Sequence, residues 1–153
     1  MIIKQYQIKN LDLNKYNLYL LYGKNEGFQN EVISEKFLKN FNGELNRYDE
    51  NEFINNNETL ISEFYNKSLF DDEKIIVISR STDKIVKFME NILERGVDNI
   101  KIILKSGALE KRSKLRTLFE KNNTIITIPF YEDDQQNLIP IVYNFMNKNN
   151  INL

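Results

Sequence analysis

The chain has 153 residues, of which 41% are hydrophobic and 28% charged, values typical of one globular domain with a buried core. It contains no cysteine and no histidine, which excludes disulfides, thiolate zinc sites and Ser-His-Asp or Cys-His catalysis. The formal net charge of -1 gives no overall attraction to nucleic acid or acidic membranes. Without a secretory signal or a run of eighteen apolar residues, we expect a cytoplasmic protein with no membrane contact.

Apolar runs rich in Ile, Val and Leu alternate with segments of helical periodicity along the chain. Such runs predict parallel strands that are covered on both faces. The four strong runs are residues 18–22, 75–79, 100–104 and 124–128, and a weaker run is residues 44–48.

Helices are predicted between the strands, where apolar residues recur at spacings of three and four. One spans about residues 30–41 and is ended by Gly43, and another covers residues 85–93 and is ended by Gly96. Residues 60–65, 115–119 and 138–146 carry the same pattern. The alternation predicts an α/β fold, a three-layer parallel sheet with helices on both faces, as a single domain over residues 1–153.

The first strand runs into a glycine-bounded loop, Gly23-Lys-Asn-Glu-Gly27. Proteins of the α/β class hold phosphate at this place, where a helix N-terminus presents backbone N–H groups. A P-loop has Lys and then Ser or Thr after its second glycine, but this chain has Phe28 and Gln29. The strand at residues 75–78 likewise runs into Ser79-Arg-Ser81 instead of an acidic pair. We interpret the loop as a degenerate nucleotide site or a ligand-free turn, and expect no catalytic residue, metal or cofactor.

A short apolar step, Ser68-Leu69-Phe70, follows the helix near residues 58–65 and precedes two aspartates. Leu69 continues the apolar stripe of that helix, so the pair is either core or an exposed anchor for a partner. As an anchor, each side chain contributes roughly 1.5–3 kcal/mol when a partner pocket buries it.

A basic helix is predicted over residues 110–121, with Leu115, Leu118 and Phe119 turned inward. Its cationic side chains fit a solvated face, a contact with DNA phosphates or a contact with a neighbouring subunit. The cations that the helix would display are Lys111, Arg112, Lys114, Arg116 and Lys121.

In their order and spacing, these segments resemble the delta subunit of bacterial DNA polymerase III, a subunit of the clamp loader. The matching segments are Tyr19-Leu-Leu-Tyr-Gly23, Ser68-Leu-Phe70 with the strand that follows, Lys111-Arg-Ser-Lys-Leu-Arg116-Thr-Leu-Phe-Glu-Lys121 and Pro129-Phe-Tyr-Glu-Asp-Asp134. The resemblance implies the N-terminal AAA+-like domain of that family, with a lost ATP site and without the family's lid and collar domains.

The resemblance also implies a function and partners. The domain would bind the sliding clamp (beta subunit) through Ser68, Leu69 and Phe70 and help to open it during DNA replication. The gamma/tau and delta prime subunits would be partners of the full-length protein, with DNA contacted within the complex. Two alternatives remain from the residues: a divergent P-loop nucleotide-binding domain, and a DNA-binding domain that uses the basic helix 110–121.

Overall fold

The computed structural model describes residues 1–65 and 73–131 of the chain. In these residues five parallel strands form one sheet in the order β2-β3-β4-β1-β5. The strands are β1 (Leu18–Gly23), β2 (Glu44–Asp49), β3 (Lys74–Ser79), β4 (Ile100–Ser106) and β5 (Ile126–Phe130). All five strands that the apolar runs predict are therefore present.

Helices connect the strands and cover the sheet. They are α1 (Glu26–Val32), which continues as a π-helical segment (Ile33–Leu38), α2 (Glu50–Asn55), α3 (Asn57–Tyr65), α4 (Val86–Arg95) and α5 (Lys114–Lys121). Short 3-10 turns lie at Gln5–Asn10, Leu13–Lys15 and Asp83–Ile85. Across residues 1–65 and 73–131, no helix is long and apolar enough to cross a membrane.

Both faces of the sheet are buried, as a parallel sheet requires. On β3, Ile76 and Ile78 enter a core that also holds side chains of α2, α3, α4 and α5. Ile75 and Val77 point to the opposite face, toward α1 and the N-terminal turn Gln5–Asn10. The predicted three-layer α/β fold with helices on both faces is confirmed.

The edge position of β2 explains why its sequence signal is weak. Among the described residues this strand pairs only with β3, and each of its six side chains is exposed or half-buried. An edge strand buries fewer apolar side chains than a central one, and charged residues on it discourage pairing with other chains.

The other edge of the sheet is covered by the first residues of the chain, which the sequence patterns do not reveal. The Ile3 N–H donates to the Thr127 carbonyl and the Thr127 N–H donates to the Met1 carbonyl, each at 2.8 Å. Because alternate residues of a strand face the same neighbour, the nitrogen of Pro129 also faces this outer side. A proline is therefore tolerated within β5, since no ladder hydrogen bond to β1 is lost.

The first helix begins earlier than predicted, at residue 26 instead of about 30. Asn25 caps it, because the side-chain oxygen of Asn25 accepts a hydrogen bond from the Phe28 N–H at 3.1 Å. Gly27 is consequently the second residue of α1 and does not bound a loop. The helix predicted at residues 138–146 lies outside the described residues.

Candidate functional site

The loop after β1 begins at Gly23, a position where any other residue would be strained. Gly23 has a φ of 133°, and a Cβ added to it would lie 1.7 Å from the carbonyl oxygen of Phe130 in β5. By contrast, a Cβ at Gly27 would meet only the Asn25 side chain, at 3.9 Å. The first glycine therefore serves the close approach of two strands, and the second has no such requirement.

The two residues at the degenerate P-loop positions both turn into the protein. The ring of Phe28 packs edge-on against Phe130, with 5.3 Å between the ring centroids. Gln29 is 1% exposed, and its side-chain amide donates to the carbonyl oxygens of Gly23 at 3.2 Å and Ser106 at 3.1 Å. Gln29 thus links the carboxyl ends of β1 and β4 from its place in α1.

The remaining polar groups of this loop are largely engaged with each other. The Glu26 N–H donates to the Lys24 carbonyl at 3.1 Å, and the Phe28 N–H is used by the Asn25 cap. Lys105 at the end of β4 has a nearly buried side chain, and its Nζ lies 3.5 Å from the Glu26 carboxylate. A phosphate approaching α1 would meet a carboxylate, while the buried cation is already paired.

Replacing Gln29 with leucine tests the role of this amide. The change keeps a side chain of similar size but leaves two buried carbonyl oxygens without their donor, so we expect a loss of about 1–3 kcal/mol in the free energy of unfolding. Urea unfolding followed by circular dichroism measures it. The matched control is Asn30→Leu at an exposed site of the same helix, which should change stability by less than about 0.5 kcal/mol. Equal effects of the two changes would contradict the role of Gln29.

Next to this loop, two acidic residues hold the turn that follows β3. Asp49 pairs with Arg80, which adopts a positive φ of 57°. Glu50 is 3% exposed and accepts hydrogen bonds from both the hydroxyl and the backbone N–H of Thr82. Because the partners in each contact are about thirty residues apart in sequence, local sequence patterns do not predict these contacts. In the part of the chain that the structure describes, no three acidic side chains group into a potential metal site.

The basic segment differs from its prediction, because α5 begins at Lys114 and not at residue 110. Ser113 caps it by accepting from the Arg116 N–H, and the Asp83 carboxylate accepts from the Leu115 N–H at 3.0 Å. This backbone hydrogen bond, with another from the Ser113 hydroxyl, holds the pKa of Asp83 below its usual value. Lys111 and Arg112 therefore lie in the loop before the helix, where both are exposed.

Arg116 is not displayed, which corrects the prediction for this residue. It is half-buried, and its guanidinium donates to the Glu120 carboxylate at 2.7 Å and to the Leu109 carbonyl at 2.9 Å. The guanidinium also lies 5.2 Å from the ring centroid of Tyr22, whose pKa is raised to about 12, mainly by burial. Arg116 thus joins α5 to the loop before it.

A groove of about 720 Å³ lies between α4 and α5. The cationic side chains that line the groove come from both ends of the basic segment, residues 110–121. The lining also contains an acidic residue, Glu90 on α4. Of the predicted contact residues, it brings together Arg112 and Lys114, with Lys121 alongside. Arg112 is already paired with Glu110 at 2.5 Å, so Lys114 and Lys121 provide most of the positive charge.

The predicted anchor residues Ser68, Leu69 and Phe70 lie outside the described residues. On its N-terminal side, the last residue described is Tyr65 at the end of α3, which packs beneath the guanidinium of Arg95. On its C-terminal side, Glu73 precedes the first residue of β3. Glu73 lies at the amino end of β3, whereas the degenerate loop lies at the carboxyl end of β1.

Comparison with known proteins decides the family. The sequence profile of the family "DNA polymerase III, delta subunit" matches residues 19–129, which run from β1 to β5 and contain nearly the whole sheet. The chain belongs to this family. Residues 68–70 and the basic segment both lie within the match, so the delta-subunit profile covers every candidate site described above.

A solved structure supports the fold of this delta-subunit family member. The DNA clamp loader delta protein of Bacillus subtilis is similar, with a TM-score of 0.62 and 15% sequence identity over 94% of this chain. The match covers 46% of that protein, so the chain spans about half the length of its structural relative. At this identity the likeness concerns the fold alone. A search of curated protein sequences finds no significant match.

Proposed function

We propose that this chain is a non-catalytic domain of the clamp-loader delta subunit, which binds the DNA polymerase III sliding clamp and helps to open it. The observation that carries the proposal is the family match over residues 19–129, which includes Ser68, Leu69 and Phe70 together with α3 and β3 on either side. In this proposal Leu69 and Phe70 enter an apolar pocket of the clamp, and the sheet holds them in place.

The closed loop after β1 supports a binding role without nucleotide hydrolysis. Gln29 fills the space behind the loop, and Glu26 places negative charge at the start of α1. The energy for clamp opening would then come from ATP bound by other subunits of the loader. In the full-length protein, the gamma/tau and delta prime subunits are the proposed partners.

A second candidate contact is DNA, favoured by the groove between α4 and α5. Lys114 and Lys121 line it and can pair with phosphates, and the exposed Lys111 lies near the start of the same helix. We propose this contact as an addition to clamp binding within the assembled loader, because the net charge of -1 gives the isolated chain little general affinity for DNA.

Mixing the chain with its cognate sliding clamp tests the main proposal. We expect a complex by analytical ultracentrifugation and calorimetry, formed without nucleotide. Parallel titrations with Mg-ATP and with a DNA duplex provide the comparison. A chain that ignores the clamp but binds Mg-ATP at micromolar concentration would favour a nucleotide-binding domain. A chain that binds only DNA, with affinity that falls steeply as salt rises, would favour the groove as the main site.

A further inference from the structure

Tyr65, the last residue described in α3, is in contact with Arg95, the last residue of α4. The guanidinium carbon of Arg95 lies 3.6 Å from the centroid of the Tyr65 ring, a close cation–π contact. Phe64, one residue earlier, is buried in the core and stacks on Phe53 with 6.5 Å between the ring centroids. The last described turn of α3 is therefore held at two neighbouring residues, Phe64 in the core and the half-buried Tyr65.

The helix that carries Arg95 is a firm support. Met89 and Ile92 of α4 are almost completely buried. The helix ends at Gly96, which has a φ of 73° and donates its N–H to the Ile92 carbonyl at 2.8 Å. One residue further on, the Val97 carbonyl accepts a hydrogen bond from the Asn17 side-chain amide at 2.8 Å. The backbone on both sides of Arg95 is thus tied to the domain.

The aromatic ring of Tyr65, and not its hydroxyl, accounts for this contact. Within residues 1–65 and 73–131, the buried hydroxyl oxygen of Tyr65 has no hydrogen-bond partner. An unpaired buried hydroxyl does not stabilise a helix end, whereas a ring beneath a guanidinium does. Phenylalanine should therefore replace Tyr65 without loss of the contact.

We propose that Arg95 and Tyr65 form a positioning pair for clamp binding. Ser68 follows Tyr65 by only three residues, which span at most about 11 Å of chain, so a contact that fixes Tyr65 limits how far Ser68 can lie from it. Fixing that point before the clamp arrives lowers the ordering cost of binding. This inference rests on the proposed function, because it assigns Arg95 and Tyr65 to the same clamp contact as Leu69 and Phe70.

Clamp affinity of variants at these two positions tests the pair. We expect Arg95→Gln to weaken clamp binding about two- to fivefold, the range of an exposed cation–π contact, and to lower the melting temperature by no more than a few degrees. Tyr65→Leu should cause the same loss, and the double variant should be no worse than either single one. Tyr65→Phe should bind like the wild type, and Arg95→Lys should recover part of the affinity. Lys87→Gln, which removes an exposed cation from the first turn of α4, is the matched control.

The outcomes separate this inference from the function on which it rests. If the wild type binds the clamp but Arg95→Gln binds as tightly as Lys87→Gln, the positioning pair is wrong and the clamp-binding function stands. Additive losses for the Arg95 and Tyr65 changes would also overturn the pair. If the wild type does not bind the clamp at all, the proposed function fails and the positioning pair fails with it.

Discussion

The Leu69→Ala/Phe70→Ala variant should lose clamp binding while its fold is retained. Each side chain contributes roughly 1.5–3 kcal/mol if the clamp buries it, so the pair accounts for a loss of about two to four orders of magnitude in affinity. Calorimetry or surface plasmon resonance with the cognate clamp measures the loss. Far-UV circular dichroism and thermal unfolding check that the domain is intact.

A matched control separates the anchor from general apolar surface. Ile2 and Tyr6 are large hydrophobic residues that are exposed, at 51% and 69%, and lie near the β5 edge of the sheet. The Ile2→Ala/Tyr6→Ala variant should bind the clamp like the wild type. Normal clamp binding by the Leu69→Ala/Phe70→Ala variant would mean that the anchor is misplaced, and a lower melting temperature of that variant would assign the two residues to the core.

The two glycines of the first loop should respond in opposite ways to alanine. Gly23→Ala forces a Cβ against the Phe130 carbonyl and a side chain into a strained φ, so we expect a loss of about 3–5 kcal/mol in the free energy of unfolding. Gly27→Ala places a Cβ within α1 in ordinary van der Waals contact with the Asn25 side chain, and should be neutral or stabilising by about 0.5–1 kcal/mol.

Urea unfolding of both glycine variants, monitored by circular dichroism, provides the comparison. Both glycines belong to the same P-loop-like sequence. If the loop bound a nucleotide, both changes would reduce nucleotide binding, and the two variants would have similar free energies of unfolding. Equal stability losses for the two variants would refute the structural role assigned to Gly23. The Gly27→Ala protein can also serve as a control in the clamp assay, because its clamp affinity should be that of the wild type.

The sheet was predictable because a central strand that is buried on both faces requires a continuous run of apolar residues. The start of α1 was not predicted, although Asn25 followed by Glu26 is a helix-start pattern, because the two glycines suggested a longer loop. Arg116 was predicted to be exposed because charge alone indicates solvent. Its contacts with Leu109 and Tyr22 depend on how β1, β4 and α5 meet, which local periodicity does not describe.

The contacts that close the first loop were beyond sequence reasoning for the same reason. Gln29 reaches Ser106, and Lys105 reaches Glu26, across more than seventy residues of sequence. These partners become neighbours only because β4 lies beside β1 in the sheet. Phe28 and Gln29 do not match the Lys and the Ser or Thr of a P-loop. Only the strand order shows that they instead contact β5 and join β1 to β4.

The position of the first loop has a consequence for how the sequence of the domain can vary. The loop lies at the carboxyl end of β1, whereas Glu73, the first residue described after the proposed anchor, precedes the amino end of β3. A six-residue strand is roughly 20 Å long, and the free-energy effects of mutations at such distances are usually additive. Substitutions in the loop should therefore leave the contributions of residues at the opposite end of the sheet unchanged, so that sequence change at one end requires no compensating change at the other.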